Sequence, residues 1–68
     1  MNKIIISGVV IHTTENNGFI LSSGGDFFYC YAPNPPRLFD IITIEGQLRS
    51  VVRNCGRVRY VTYCINVE

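Results

Sequence analysis

The sequence predicts an all-β domain, and three observations point that way. Isoleucine, valine, tyrosine, phenylalanine and threonine dominate a chain that contains a single alanine. No apolar pattern recurs at a period of 3.6 residues, whereas several segments alternate at period two. Clusters of glycine, asparagine and proline cut the chain into five pieces of strand length.

Lys3 to Thr13 forms the first predicted strand, with Ser7-Gly8 in its middle marking a bulge or a close backbone approach. Glu15-Asn16-Asn17-Gly18 follows as a turn. Phe19 to Ser22 is a short second strand, Ser23-Gly24-Gly25-Asp26 a tight hairpin, and Phe27 to Tyr31 the third strand. The prolines of Ala32-Pro33-Asn34-Pro35-Pro36 exclude a central strand, and Arg37-Leu38-Phe39 suits one helical or 3₁₀ turn plugging an end of the domain. Ile41 to Val52 is the fourth strand, bent at Gly46, where its register is expected to shift. Arg53-Asn54-Cys55-Gly56 reads as a hairpin turn, with Asn54 or Gly56 suited to positive φ. Arg57 to Val67 is the fifth strand. Five antiparallel strands, interrupted only between the third and fourth, match the order of a small five-stranded OB-fold barrel. An SH3-like barrel is the competing architecture.

A chain of 68 residues makes one domain, 1–68, that buries only about 60% of its unfolded surface. Domains this small recruit a disulfide, a metal or a partner subunit. Cys30, Cys55 and Cys64 lack a Cys-x-x-Cys pair, and His12 is the only histidine. A four-ligand zinc site is therefore poorly supplied, and no metal or cofactor is expected. A Cys55–Cys64 bridge is conceivable, but three thiols in apolar context fit a reduced, cytoplasmic protein better. Oligomerisation is the expected helper. The apolar run from Ile4 to Ile11 is too short for a membrane helix, lacks the marks of a cleaved leader, and reads as a β-branched strand.

Net charge is +1, but Arg49, Arg53, Arg57 and Arg59 fall within eleven residues, and no acid lies between Glu45 and Glu68. This is a local positive patch on a nearly neutral domain. Arginines that deter edge-to-edge aggregation would look the same. Paired carboxylates, a phosphate loop and a nucleophile elbow are all missing, so the chain reads as a non-enzyme.

Alternation assigns faces. In the fourth strand Ile42, Ile44, Leu48 and Val52 point inward. In the fifth, Val61, Tyr63, Ile65 and Val67 do, with Tyr60, Thr62 and Asn66 outward; Arg59 has core parity but lies near the hairpin. The third strand is predicted to bury Phe28 and Cys30 and to display Phe27, Tyr29 and Tyr31 beside Phe19. Outward aromatics next to arginines make a surface on which bases stack and phosphates are held. Packing in the core or in a dimer interface is the competing use of those rings.

Two segments resemble the bacterial single-stranded-DNA-binding protein and PriB-like OB-fold family. They are Asn2-Lys3-Ile4-Ile5-Ile6-Ser7-Gly8-Val9, and Ile42 to Val67 with its Ile44-Glu45-Gly46-Gln47-Leu48-Arg49 and Arg59-Tyr60-Val61-Thr62 runs. The resemblance covers roughly half the chain. It implies an OB-fold that oligomerises as a dimer or higher and wraps single strands in DNA replication, with Arg49, Arg57 and Tyr60 as carried-over contacts. The sequence departs from the family in having no tryptophan and in replacing a helix before the fourth strand by the proline-rich loop. The expected partner is single-stranded DNA, or RNA, bound with little sequence preference through Phe27, Tyr29, Tyr31, Tyr60, Arg49, Arg53, Arg57 and Arg59. A protein-interaction module on the same barrel is the alternative.

Overall fold

The computed structural model describes residues 3–68. Five strands form one sheet: β1 (Lys3–Thr13), β2 (Gly18–Ser23), β3 (Asp26–Tyr31), β4 (Ile41–Cys55) and β5 (Val58–Val67). The sheet closes on itself in the order β1-β2-β3-β5-β4. Four contacts are antiparallel, while β3 and β5 run parallel, which corrects the expectation of an antiparallel sheet throughout.

Turn chemistry sets the connections. Gly24 and Gly25 both have positive φ, at 59° and 85°, and join Ser23 to its partner Asp26, the two-residue arrangement that matches strand twist. At the β4–β5 hairpin the turn is shorter and later than predicted. Arg53, Asn54 and Cys55 belong to β4, Cys55 pairs with Val58, and Gly56 at φ 62° opens a two-residue turn. Between β1 and β2, Asn17 adopts φ 59°, and the Thr14 amide donates to the Gly18 carbonyl at 2.9 Å.

Closure needs two strands to change partners, and glycine marks both places. β1 pairs with β4 from Lys3 to Val9, then with β2 from Val9 onward. β4 leaves β1 and takes up β5 at Gly46, which is paired with both Ile4 and Val67. A Cβ on Gly8 would press into the Ser22 carbonyl, and one on Gly46 into the Asn66 carbonyl. Both glycines therefore serve close backbone approach. The register through Gly46 is continuous, contrary to expectation. The irregularity lies in β1 between Val10 and His12, where Ile11 is the extra residue.

Val10, Phe19, Leu21, Cys30, Ile44 and Ile65 form the core, with Ile4, Ile6, Phe28, Ala32, Ile42, Leu48 and Val67 packed around it. Phe19 is only 2% exposed, so it does not join the outward aromatics. Gly18 and Phe19 sit opposite Tyr31 and Cys30, and the pleat turns Phe19 inward with Cys30. The loop before β4 contains no helix. Arg37 to Asp40 is a turn with Phe39 at φ 68°, and Leu38 and Phe39 face solvent instead of plugging the barrel. Val10 stitches the loop to β1, donating to the Asp40 carbonyl and accepting from the Phe39 amide.

β4 and β5 run on beyond the end of β3. The last β3–β5 pair towards the hairpin is Phe28 with Tyr63, whereas β4 and β5 stay paired out to Cys55 and Val58. The overrun is a two-stranded arm. Val61, predicted to be core, and Val52 opposite it are each about half exposed because no third strand lies beneath them.

Candidate functional site

Pairing places the outward residues in rows across the sheet. His12, Ile20, Tyr29, Cys64 and Arg49 are successive partners on β1, β2, β3, β5 and β4. One row towards the strand ends, Gly18, Tyr31, Asn66 and Gln47 line up in the same way. Partners in a pair share a face. Tyr29 and Tyr31 are thus neighbours on the outer surface, 41% and 49% exposed, with Phe27 beyond them at 59%. Gly18 leaves room for the Tyr31 ring, which lies within contact distance of the position a Cβ would take. Cys64 has outward parity yet is buried, being flanked by Tyr29 and Arg49 in its row.

The arm extends this surface. Arg53 pairs with Tyr60, and Val51 with Thr62, on the same face as Arg49 and Cys64. The Arg53 Nε donates to the Thr62 hydroxyl at 3.1 Å, laying the guanidinium along β5. Tyr60 is 44% exposed. Arg57 stands in the hairpin turn. Arg59 pairs with Asn54 on the opposite face of the arm. Seven of the eight predicted binding residues therefore lie on one outer face or at its tip, and Arg59 does not.

No arginine forms a salt bridge among the described residues. The ion pairs there are those of Lys3 with Glu45 at 3.0 Å and with Glu68 at 3.1 Å. Hydrogen bonding to Glu45, then to Glu68, raises the Lys3 pKa, and the Lys3 hydrogen bond, followed by that of Gln47, lowers the Glu68 carboxyl. These carboxylates sit where β4 meets β1 and β5 ends, away from the arm. Arg49, Arg53 and Arg57 are left with their charge directed to solvent.

Two depressions flank the aromatic row. One, of about 250 Å³, opens between the end of β1 and β2–β3 and is lined by His12, Thr14, Ile20, Tyr29 and Tyr31. The other, of about 350 Å³, is a cleft between the β2–β3 hairpin and the arm, lined by Asp26, Phe27, Tyr29, Tyr60, Thr62 and Tyr63. His12, Ile20, Asp26 and Tyr63 did not stand out in the sequence. Alternation through the β2–β3 pair would have found Ile20, and the length of β4–β5 relative to β3 would have exposed Tyr63. Tyr63 keeps its inward parity, its ring 5.8 Å from that of Phe28, but it lies at the open end of the barrel.

Among the described residues no group of three or more histidines, cysteines or acids is placed to hold a metal. Cys30, Cys55 and Cys64 are free thiols. Comparison with protein-family models, curated proteins and solved structures returns no match.

Proposed function

We propose that the chain is a non-catalytic protein that binds single-stranded nucleic acid, DNA in preference to RNA, with little dependence on sequence. The observation that carries this is the outer face itself: Phe27, Tyr29, Tyr31 and Tyr60 exposed beside Arg49 and Arg53, with no carboxylate paired to those arginines among the described residues. Flat rings accept any base, each stack contributing about 1–3 kcal/mol by alanine substitution. Arginines along the same face hold phosphates and release counterions. The ring order β1-β2-β3-β5-β4 with a parallel β3–β5 contact supports an OB-fold, whose outer β2–β3 face is a common platform for oligonucleotides. The likeness of Ile42 to Val67 to the single-stranded-DNA-binding protein family supports the same reading.

Fluorescence anisotropy with a labelled thymidine homopolymer tests it. Binding is expected at about 20 mM salt and weaker binding at about 150 mM, with Tyr29→Ala lowering affinity at least about fivefold. Absence of binding at low salt removes the proposal. The exposed Val52, Val58 and Val61 of the arm favour a second reading, a protein-assembly module. That reading calls for complexes that persist at high salt and no affinity for oligonucleotides.

A further inference from the structure

The cleft between the β2–β3 hairpin and the arm contains something that sequence-neutral stacking does not need. Phe27, Tyr29, Tyr60 and Tyr63 line it together with one acid, Asp26. Asp26 has the inward parity of Phe28 and Tyr63 and stands with Tyr63 at the open end of the barrel. The other acids have different settings. Glu45 and Glu68 are paired with Lys3, Asp40 accepts from the Arg37 amide at 3.0 Å, and Glu15 lies in the β1–β2 loop. Asp26 is exposed and has neither an ion pair nor a side-chain hydrogen bond among the described residues. Beside a surface that holds phosphates, a bare carboxylate repels the ligand unless it meets a donor. Bases differ sharply in the donors they offer.

We propose, resting on the single-strand-binding reading above, that this cleft takes a guanine base, with the Asp26 carboxylate accepting hydrogen bonds from its N1–H and 2-amino group. Only guanine presents two adjacent N–H donors on one edge, matching the two oxygens of a carboxylate. Adenine and cytosine offer one exocyclic amino group each. Thymine and uracil flank their single N3–H with carbonyl oxygens that a carboxylate repels. The volume of about 350 Å³ falls in the range of clefts that hold small planar ligands. Arg53, bonded to the lining residue Thr62, is the cation for the adjoining phosphate. Guanine is thereby selected at one position, while the Tyr29–Tyr31 row remains indifferent to sequence.

The test compares three oligonucleotides of equal length: a thymidine homopolymer, one alternating thymidine with deoxyguanosine, and one alternating thymidine with deoxyinosine, which lacks the 2-amino group. The guanine-containing strand is expected to bind about tenfold tighter than the homopolymer, and the inosine strand to lose most of that gain. In Asp26→Asn the ratio between guanine and thymidine strands should fall to near one. The ratio within each protein is the readout, so any change in general phosphate affinity cancels. The inosine comparison uses the unaltered protein and does not depend on the variant folding. Equal binding of all three strands, or a guanine preference that survives Asp26→Asn, overturns the inference while leaving the single-strand reading intact. Failure of every strand to bind overturns both.

Discussion

Cys30 sits inside the closed barrel, 1% exposed, with its Sγ donating to the Phe28 carbonyl at 3.6 Å. Burial, and secondarily the neighbouring Cys64, pushes its pKa from 9.0 to about 12. The sign of the linkage follows. Between those values the unfolded chain has lost a proton that the folded protein still holds, so the native state is progressively disfavoured as pH rises. The slope is about 1.4 kcal/mol per pH unit. Urea unfolding at about pH 8 and about pH 10.5 should show the protein losing roughly 2 kcal/mol more than Cys30→Ala over that interval. Everything else is common to the two proteins and cancels in the difference. Parallel losses would mean that the thiol titrates as freely as in the unfolded chain. The same residue shows where sequence reasoning succeeds. Cys30 alternates with Tyr29 and Tyr31, so once the tyrosines face water its burial follows. Phe19 fails the same treatment, because Gly18-Phe19-Ile20-Leu21 offers an apolar residue on either face. Only pairing to Cys30 turns the ring inward.

At the level of elements, β4 decides the shape of the molecule. It is the longest strand, Ile41–Cys55, bonded to β1 in its first half and to β5 in its second, and Gly46 and Gln47 belong to both pairings. Gly46→Ala would drive a methyl into the Asn66 carbonyl and force the β4–β5 crossing apart. We expect a loss of about 1–3 kcal/mol or more in denaturant unfolding, against less than about 0.5 kcal/mol for the exposed Ser50→Ala. A glycine retained only for bending would tolerate alanine. The five strands were legible because glycine-bearing turns and one proline-rich loop bracket them and period-two alternation runs between. The extent of β4 was not. Arg53, Asn54 and Cys55 carry turn-forming character, yet cross-strand pairing to Val58, Arg59 and Tyr60 keeps them extended. Val61 was misplaced for a related reason. Its parity is that of the core, but core parity buries a side chain only where a neighbouring strand continues alongside, and β3 has already ended.

Across the whole molecule, charge is segregated along the β4–β5 pair. Arg49, Arg53 and Arg57 occupy the arm and its base. Lys3, Glu45 and Glu68 gather around the far end of β5, with Glu68 ten residues beyond Val58, about 30 Å along an extended strand. That separation, and even the roughly 13 Å from Arg49 to Glu45 four residues away, exceed the Debye length of about 8 Å at physiological salt, so the acidic end does not neutralise the arm. A net charge of +1 therefore understates what a single strand would meet on this face. Three phosphates engaged by these arginines give a slope of log affinity against log salt of about −2 for single strands, or roughly a twentyfold loss for a fourfold rise in salt. Arg57→Ala should flatten the slope by about 0.7, whereas Glu45→Gln, at the other end, should leave it unchanged. Arg59, on the opposite face of the arm, should contribute less than Arg57. A salt titration of each variant with the same thymidine homopolymer decides the matter. A slope near zero in the unaltered protein would mean that the arginines meet no phosphate, and the aromatic face would then have to draw its affinity from an uncharged, protein-like partner.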